Sequence, residues 1–242
     1  MKAFILAAGL GTRLKPWTLS HPKALVPVGG VPMLERVIRR LESEGFDYIV
    51  VNVHHFASQI TDFLKARAWQ ARIEVSDETD LLLDTGGALV HAAPLLCRDS
   101  EPFLIHNVDI LSDASPAELM AAHKELGGEA TLLVSDRDSS RHLLFDPEMR
   151  LRAWRNLSNG ERRGDAGEWP IELAFSGIHV MNTSLIESMR AEGMPRVFPV
   201  MDYYLSHTRQ IPIFGYRRDS LDLIDIGKPE TLSRANDLFV KS

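Results

Sequence analysis

Arg13, Lys15 and Lys23 lie in the stretch GLGTRLKPWTLSHPKALVP, which also carries Gly9, Gly11, Pro16, Pro22 and Pro27 and follows directly on the apolar run FILAA. Glycines let backbone N–H groups close around phosphate oxygens, an arginine adds a two-pronged fork, and a lysine adds a point charge. The combination points to a phosphate-bearing ligand. Two carboxylates complete the set of groups able to do chemistry: Asp109, at the end of FLIHNVD, and Asp225, at the end of DLID. A hard divalent ion such as Mg²⁺ usually takes one or two protein carboxylates and fills its shell with phosphate and water. On strands of a parallel sheet both aspartates would reach the carboxyl edge, beside the opening loop, where such sheets bind ligands. The competing readings are a turn carboxylate for Asp109 and a turn or capping role for Asp225. Asp113 reads as part of a helix entry, and Lys15 as a solvated loop charge.

Other phosphate loops do not fit. The Walker pattern GxxxxGK[ST] is absent. The dinucleotide pattern GxGxxG needs a third glycine where the helix packs on the strand, but Gly9-Leu10-Gly11 is followed by Thr12, Arg13 and Leu14. The prolines hold the chain extended, and no convincing helix begins before about Met33. A loop this long inside a compact fold is uncommon and usually functional.

The elements that must position these groups alternate. FILAA, YIVVNV, ARIEVS, FLIHNV and TLLVS read as strands. MLERVIRRLESEG, SQITDFLKA, TGGALVHAAPLL and ASPAELMAAHKELGG read as helices, the last with Ser115, Pro116 and Glu118 forming a capping box. Such alternation signals βαβ units. RHLLFDPEMRLRAWRN predicts an antiparallel hairpin around Asp146-Pro147, SNGERRGDAGEWP a mobile polar loop, and FSGIHVM, IPIFGY and DLIDIG further strands. TSLIESMRA, VFPVMDYYLSH and PETLSRANDLFV complete the helices. The expected fold is α/β: a Rossmann-like, mostly parallel sheet flanked by helices, one domain over residues 1–242 with an antiparallel insertion at about 140–175.

The 45% hydrophobic and 25% charged content is globular, and a net charge of −6 argues against broad nucleic-acid binding. The single Cys97 excludes a disulfide framework and favours a reducing compartment. No apolar run is long enough for a membrane span and no signal peptide is evident, so the expected location is cytoplasmic. His54 and His55 are adjacent, point to opposite faces on a strand, and read as structural or rim residues.

LAAGLGTRLKPWTLSHPKALVPVGGVPML, from Leu6 to Leu34, resembles the signature of the sugar-1-phosphate nucleotidylyltransferases. DTGGAL at 84–89, the strand ending in Asp109, SGI at 176–178 and DIG at 225–227 extend the likeness along the chain. The resemblance implies the nucleotide-diphospho-sugar transferase fold and transfer of a nucleotidyl group from an NTP to a sugar 1-phosphate, with release of pyrophosphate. It puts Arg13 on the β- and γ-phosphates, Lys23 by the reacting α-phosphoryl group, and Mg²⁺ on Asp109 and Asp225. Ala8, Gly9, Gly11, Thr12, Gly86 and Gly87 fall on the nucleotide side, and Glu172, Ser176 and Gly177 on the sugar side. As bare sequence, the two glycines at 86 and 87 read equally as a helix entry. A phosphate monoester is already ionised near neutral pH, its second pKa being about 6, so no general base is required.

Two departures stand out. Valine precedes the metal aspartate where the family commonly has glycine, leaving Asn107 as an open ligand contact. Arg155-Asn156 ends the hairpin strand where many glucose-specific members carry Glu-Lys-Pro, so the lysine that helps hold the sugar phosphate is absent. On its length the chain is expected to lack the C-terminal acyltransferase or β-helix of larger relatives. DTGGAL with FSGIHVM is most similar to the short N-acetylmuramate-1-phosphate uridylyltransferases of cell-wall recycling, with mannose- or heptose-1-phosphate guanylyltransferases as the alternative. A metal-dependent glycosyltransferase using Asp109, or a non-catalytic nucleotide-sugar sensor, are the readings of another class.

Overall fold

The computed structural model describes residues 1–240. The short apolar runs become strands and the amphipathic stretches helices, in the order β1 (Lys2–Leu6), β2 (Pro27–Val28), β3 (Val31–Pro32), α1 (Met33–Ser43), β4 (Tyr48–Val53), α2 (Ala57–Lys65) and β5 (Arg72–Asp77). Then come α3 (Asp84–His91), α4 (Ala93–Leu96), β6 (Phe103–Asn107), β7 (Ile110–Ser112), α5 (Pro116–Leu126), β8 (Ala130–Ser135), β9 (Arg141–Phe145) and β10 (Leu151–Asn156). The chain continues with β11 (Arg162–Gly164), β12 (Ile171–Met181), α6 (Thr183–Ala191), α7 (Val200–Ser206), β13 (Ile213–Arg217), β14 (Leu223–Asp225) and α8 (Pro229–Val240).

β5, β4, β1 and β6 pair in parallel, β12 runs against β6, and β8 and β13 resume the first direction on the far side of β12. The central sheet is therefore mostly parallel. Its strands read as unbroken apolar runs because both faces are covered. Phe4, Val50 and Ile105 point to one face, under α3, α6 and α7, with Leu89, Ile186 and Tyr204. Their neighbours Ile5, Val51 and Leu104 point to the other, under α1, α2 and α5, with Ile38, Ile60 and Leu119.

β12 is eleven residues long and serves two neighbourhoods. Met181 back to Ile178 pairs with β6, whereas Ile171–Leu173 pairs with β9, whose hairpin partner β10 carries β11. Between Phe175 and His179 the register with β8 shifts, and Gly177 at φ 80 occupies the irregularity. The Asp146-Pro147 turn is stapled by Asp146 Oδ1, which accepts from the N–H groups of Glu148 (3.2 Å) and Arg150 (2.8 Å).

Three expectations are corrected. The polar stretch after Asn156 is not wholly loop: Arg162–Gly164 adds a strand to the hairpin, Trp154 opposite Arg163, and the Arg163 guanidinium is ion-paired with Asp202. TGGALVHAAPLL is two helices, broken at Ala92 before Pro94. At α5 the Ser115 hydroxyl accepts from Glu118 N–H (3.2 Å), but it is Glu44, arriving from the end of α1, that takes the Ser115 O–H (2.6 Å) and the Ala117 N–H (3.0 Å). Glu118 instead turns toward Arg218, at 3.7 Å.

Candidate active site

The ends of β1, β4 and β6 lie level, Leu6 opposite Asn52 on one side and Asn107 on the other, so the loops leaving them share one rim. The opening loop is not extended throughout, as its prolines suggest, but winds through three short 3₁₀ turns at Thr12–Leu14, Trp17–Leu19 and Lys23–Leu25. Its apolar residues Leu14, Val26, Val28 and Met33 bury themselves against Ile226 and Ala235. The loop is thereby fixed to the segment that carries Asp225.

Gly11 sets the place of Lys23. It adopts φ 60, and a Cβ there would stand 2.8 Å from Lys23 Cβ and 2.9 Å from Thr18 Cγ2. The Lys23 ammonium is ion-paired with Asp109 Oδ2, the two side chains being only 12% and 17% exposed. Asp225 pairs opposite Ile110 in the β14–β7 ladder, and Ile226 N–H donates to the Asp109 carbonyl at 3.0 Å, so the two aspartates end adjacent segments. A side chain added at Gly227 would meet Asp225 Oδ1 at 2.7 Å, Arg13 Nη2 at 3.0 Å and Lys23 Nζ at 3.3 Å. Arg13, Lys23, Asp109 and Asp225 therefore meet in one place.

Two cavities flank that place and share Leu6, Thr85 and Asn107 as their common wall. One, of about 380 Å³, is lined by Ala8, Gly9, Asn52, Glu78, Lys23 and Asp109. The other, of about 630 Å³, is lined by Arg137, Trp154, Ser176, Gly177, His179 and Asp225. Asn107, left open by the sequence, stands at the boundary. Gly177 makes room for it: a Cβ there would lie 2.7 Å from Asn107 Nδ2.

The donor set fits Mg²⁺ by its chemistry. Asp109 and Asp225 are hard carboxylates of the kind such an ion uses, one or two at a time, with phosphate ligands. Among the described residues there is no group of three or more His, Cys, Asp or Glu that could hold a metal. His54 Nδ1 bonds the Glu78 carbonyl at 2.6 Å, while the His55 ring lies tilted against Phe56.

Several sequence-predicted residues do something else. Gly86 and Gly87 N–H groups both donate to the Phe198 carbonyl (2.8 and 3.2 Å), and Cβ atoms there would strike Phe198 Cε2 at 2.3 Å and Arg196 O at 2.2 Å. These glycines admit the 196–198 segment, and their amides are already engaged. Ala8 N–H is also engaged, by Asn52 Oδ1 (3.2 Å), along with Ala7 N–H (2.6 Å). Gly9 stays exposed on the cavity wall, whereas Thr12 is exposed outside both cavities. Glu172 does not line the larger cavity with Ser176 and Gly177. It binds Arg155 at 2.7 Å in a separate recess with Trp169, because the first residues of β12 pair with the hairpin and not with β6. Ser176 is buried and accepts from Ile178 N–H at 3.2 Å.

Sequence reasoning missed Asn52, Glu78 and Arg137. Asn52 Nδ2 donates to Glu78 Oε1 at 2.9 Å, linking the opening loop to the segment before α3. Burial pushes the Glu78 carboxyl above its ordinary range, with the Asn52 bond opposing. The available signal was a lone amide inside the apolar strand YIVVNV. On the same rim His106 is buried and held neutral, its pKa pushed down to about 4 by desolvation.

A family model described as Nucleotidyl transferase matches residues 2–143, and the chain belongs to that family. Mannose-1-phosphate guanylyltransferase 1 of Arabidopsis thaliana is 36% identical over 140 residues, 57% of this chain and 39% of its own length. Mannose-1-phosphate guanyltransferase of Yarrowia lipolytica is 37% identical over 257 residues, covering 100% of this chain and 65% of its own. The chain thus spans less than two thirds of these relatives. In fold it is similar to HddC from Yersinia pseudotuberculosis, with a TM-score of 0.80 at 23% identity over 98% of this chain and 99% of that one. These curated relatives carry the guanylyltransferase description that the sequence reading held as its alternative, not the N-acetylmuramate uridylyltransferase it placed first.

Proposed function

We propose that the protein transfers a nucleotidyl group from an NTP to a sugar 1-phosphate, forming an NDP-sugar and pyrophosphate, with GTP and mannose 1-phosphate as the preferred pair. The observation that carries the reaction is the meeting of Arg13, Lys23, Asp109 and Asp225 where two cavities join. The guanylyl and mannosyl preference is supported by the relatives that align over the whole chain.

The smaller cavity takes the nucleoside and the larger takes the sugar, so their phosphates meet at the shared wall. A sugar-phosphate oxygen forms a bond to the α-phosphorus while the bond from that phosphorus to the bridging oxygen of pyrophosphate breaks. The nucleophile arrives ionised, and the chain has no proton to remove. What remains is alignment and charge. Arg13 holds the departing β- and γ-phosphates, and Lys23 exchanges Asp109 for the α-phosphoryl oxygens. Asp109 and Asp225 would hold Mg²⁺, which supplies further neutralisation of the polyphosphate. Gly9, with no side chain and an exposed backbone, lets the phosphates approach.

The test is pyrophosphate release with Mg²⁺ across GTP, UTP, CTP, ATP and dTTP against a sugar 1-phosphate panel. GTP with mannose 1-phosphate should give the highest kcat/KM. UTP with N-acetylmuramate 1-phosphate as the preferred pair would overturn the specificity. Tight NDP-sugar binding with no turnover for any pair would overturn the reaction in favour of a sensor.

A further inference from the structure

The sugar 1-phosphate brings its own negative charge to a site already holding a triphosphate, and a cation on the sugar side must meet it. Arg155, the cation at the hairpin strand end, is bound to Glu172 at 2.7 Å in the separate recess. Lys23 lines the smaller cavity and Arg13 lines neither; of the other arginines on the larger cavity, Arg163 is ion-paired with Asp202 and Arg141 is exposed. We propose that Arg137, from the segment between β8 and β9, is the residue that binds the phosphate of the sugar 1-phosphate. This rests on the reading above and adds to it a residue outside the matched motifs.

Arg137 lines the larger cavity together with Asn107, Ser176, Gly177 and Asp225. One guanidinium nitrogen, Nη2, donates to the Phe175 carbonyl at 2.8 Å, which ties the head group to the residue just before Ser176-Gly177. Its Nε is buried and has no hydrogen-bond partner among the described residues, and it makes no ion pair there. A buried N–H left unsatisfied is costly, so such a group persists where something else completes it. Asp225, one of the two proposed Mg²⁺ ligands, lines the same cavity as Arg137. A planar fork anchored through Nη2 and with no other hydrogen-bond partner among the described residues suits a phosphate dianion.

The experiment is steady-state pyrophosphate release at saturating Mg²⁺ and NTP with the sugar 1-phosphate varied, for wild type, Arg137→Gln and Arg137→Lys. Arg137→Gln should raise KM for the sugar phosphate about 10- to 100-fold, as for loss of a charge-assisted hydrogen bond, while KM for the NTP stays within about two-fold. Arg137→Lys keeps charge without the fork and should fall between. Thermal melting with and without GTP checks that each variant folds and holds nucleotide. Should Arg137→Gln melt early, the Arg137→Lys comparison alone decides. An unchanged KM for the sugar phosphate in the folded variants of an active enzyme overturns the assignment of Arg137. A wild type inactive with every pair overturns the proposed function, and this inference with it.

Discussion

Gly11 and Gly9 stand two residues apart in the same loop, and the structure separates them sharply. At Gly11, φ 60 and ψ 34 lie in the left-handed region, and a Cβ would press on Lys23 Cβ at 2.8 Å and Thr18 Cγ2 at 2.9 Å. An L-residue pays about 1–2 kcal/mol for that conformation. At roughly 2–4 °C per kcal/mol for a chain of this size, Gly11→Ala should lower Tm by about 2–8 °C. The contact with Lys23 adds a second effect. If the lysine stem shifts by about 1 Å, turnover should drop by about 10²-fold, far more than the stability loss explains. At Gly9 an added methyl group would meet nothing within 4 Å and φ is not positive, so Gly9→Ala should leave Tm within about 1 °C. Its effect should fall on the NTP, as a several-fold rise in KM from a methyl group on the cavity wall. Differential scanning calorimetry and pyrophosphate release on both variants check the pair. A Gly11→Ala protein with the expected Tm loss but wild-type kcat would refute the claim that this glycine places the lysine.

Lys23→Ala or Arg13→Gln should each reduce kcat by about 10²–10³, as for loss of one donor to a developing anion, and mixing either variant with fresh Mg²⁺ should not restore it. Asp109→Asn and Asp225→Asn should raise the Mg²⁺ concentration needed for half-maximal rate at least about ten-fold, read from a metal titration of turnover. Gly227→Ala should retain the fold by circular dichroism yet lose most activity, because its methyl would intrude among Asp225 Oδ1, Arg13 Nη2 and Lys23 Nζ. Acid should destabilise the fold early. His106 and His179 are buried and neutral, pushed down from 6.5 to about 4 and about 3 by desolvation. Their contribution is whole above pH 6.5, where neither state binds the proton. It falls as pH drops toward 4, because the unfolded chain takes up protons that the folded chain refuses. Each histidine adds up to about 1.4 kcal/mol of lost stability per pH unit, measurable as denaturant midpoints between about pH 7 and 4.5.

The elements of this fold were legible because their physics is local. Phe4-Ile5, Val50-Val51 and Leu104-Ile105 are apolar at consecutive positions, as a strand covered on both faces must be. Of the two aspartates expected at the carboxyl edge of one parallel sheet, Asp109 follows β6 there, whereas Asp225 ends β14, which pairs antiparallel with β7 in a separate two-stranded sheet and meets Asp109 through that ladder. The glycines at 86 and 87 misled because close approach has the same sequence cost whether the visitor is a ligand or the chain itself. Here it is Phe198, far along the chain, and no local pattern announces it. Glu172 failed through register. β12 continues past its partner β6 onto the hairpin, so a residue four positions before Ser176 belongs to another neighbourhood.

Asn52 and Arg137 illustrate a further limit with a physical reason behind it. Both bond backbone groups, whose positions follow from the fold and not from residue type. Asn52 Oδ1 accepts from the N–H groups of Ala7 and Ala8, and Nδ2 donates to Glu78, so one amide holds the opening loop and the Glu78 wall of the smaller cavity at a fixed separation. Asn52→Asp would keep the acceptor but set a carboxylate against Glu78, both buried. Asn52→Leu would strip the partner from two buried N–H groups and from Glu78, at about 1–3 kcal/mol for each group left unsatisfied. The leucine variant should therefore lose several kcal/mol in urea. The aspartate variant should recover stability as pH falls and one carboxyl of the pair takes a proton. Equal stability of the two variants at every pH would show that the amide is not a strut between the two loops.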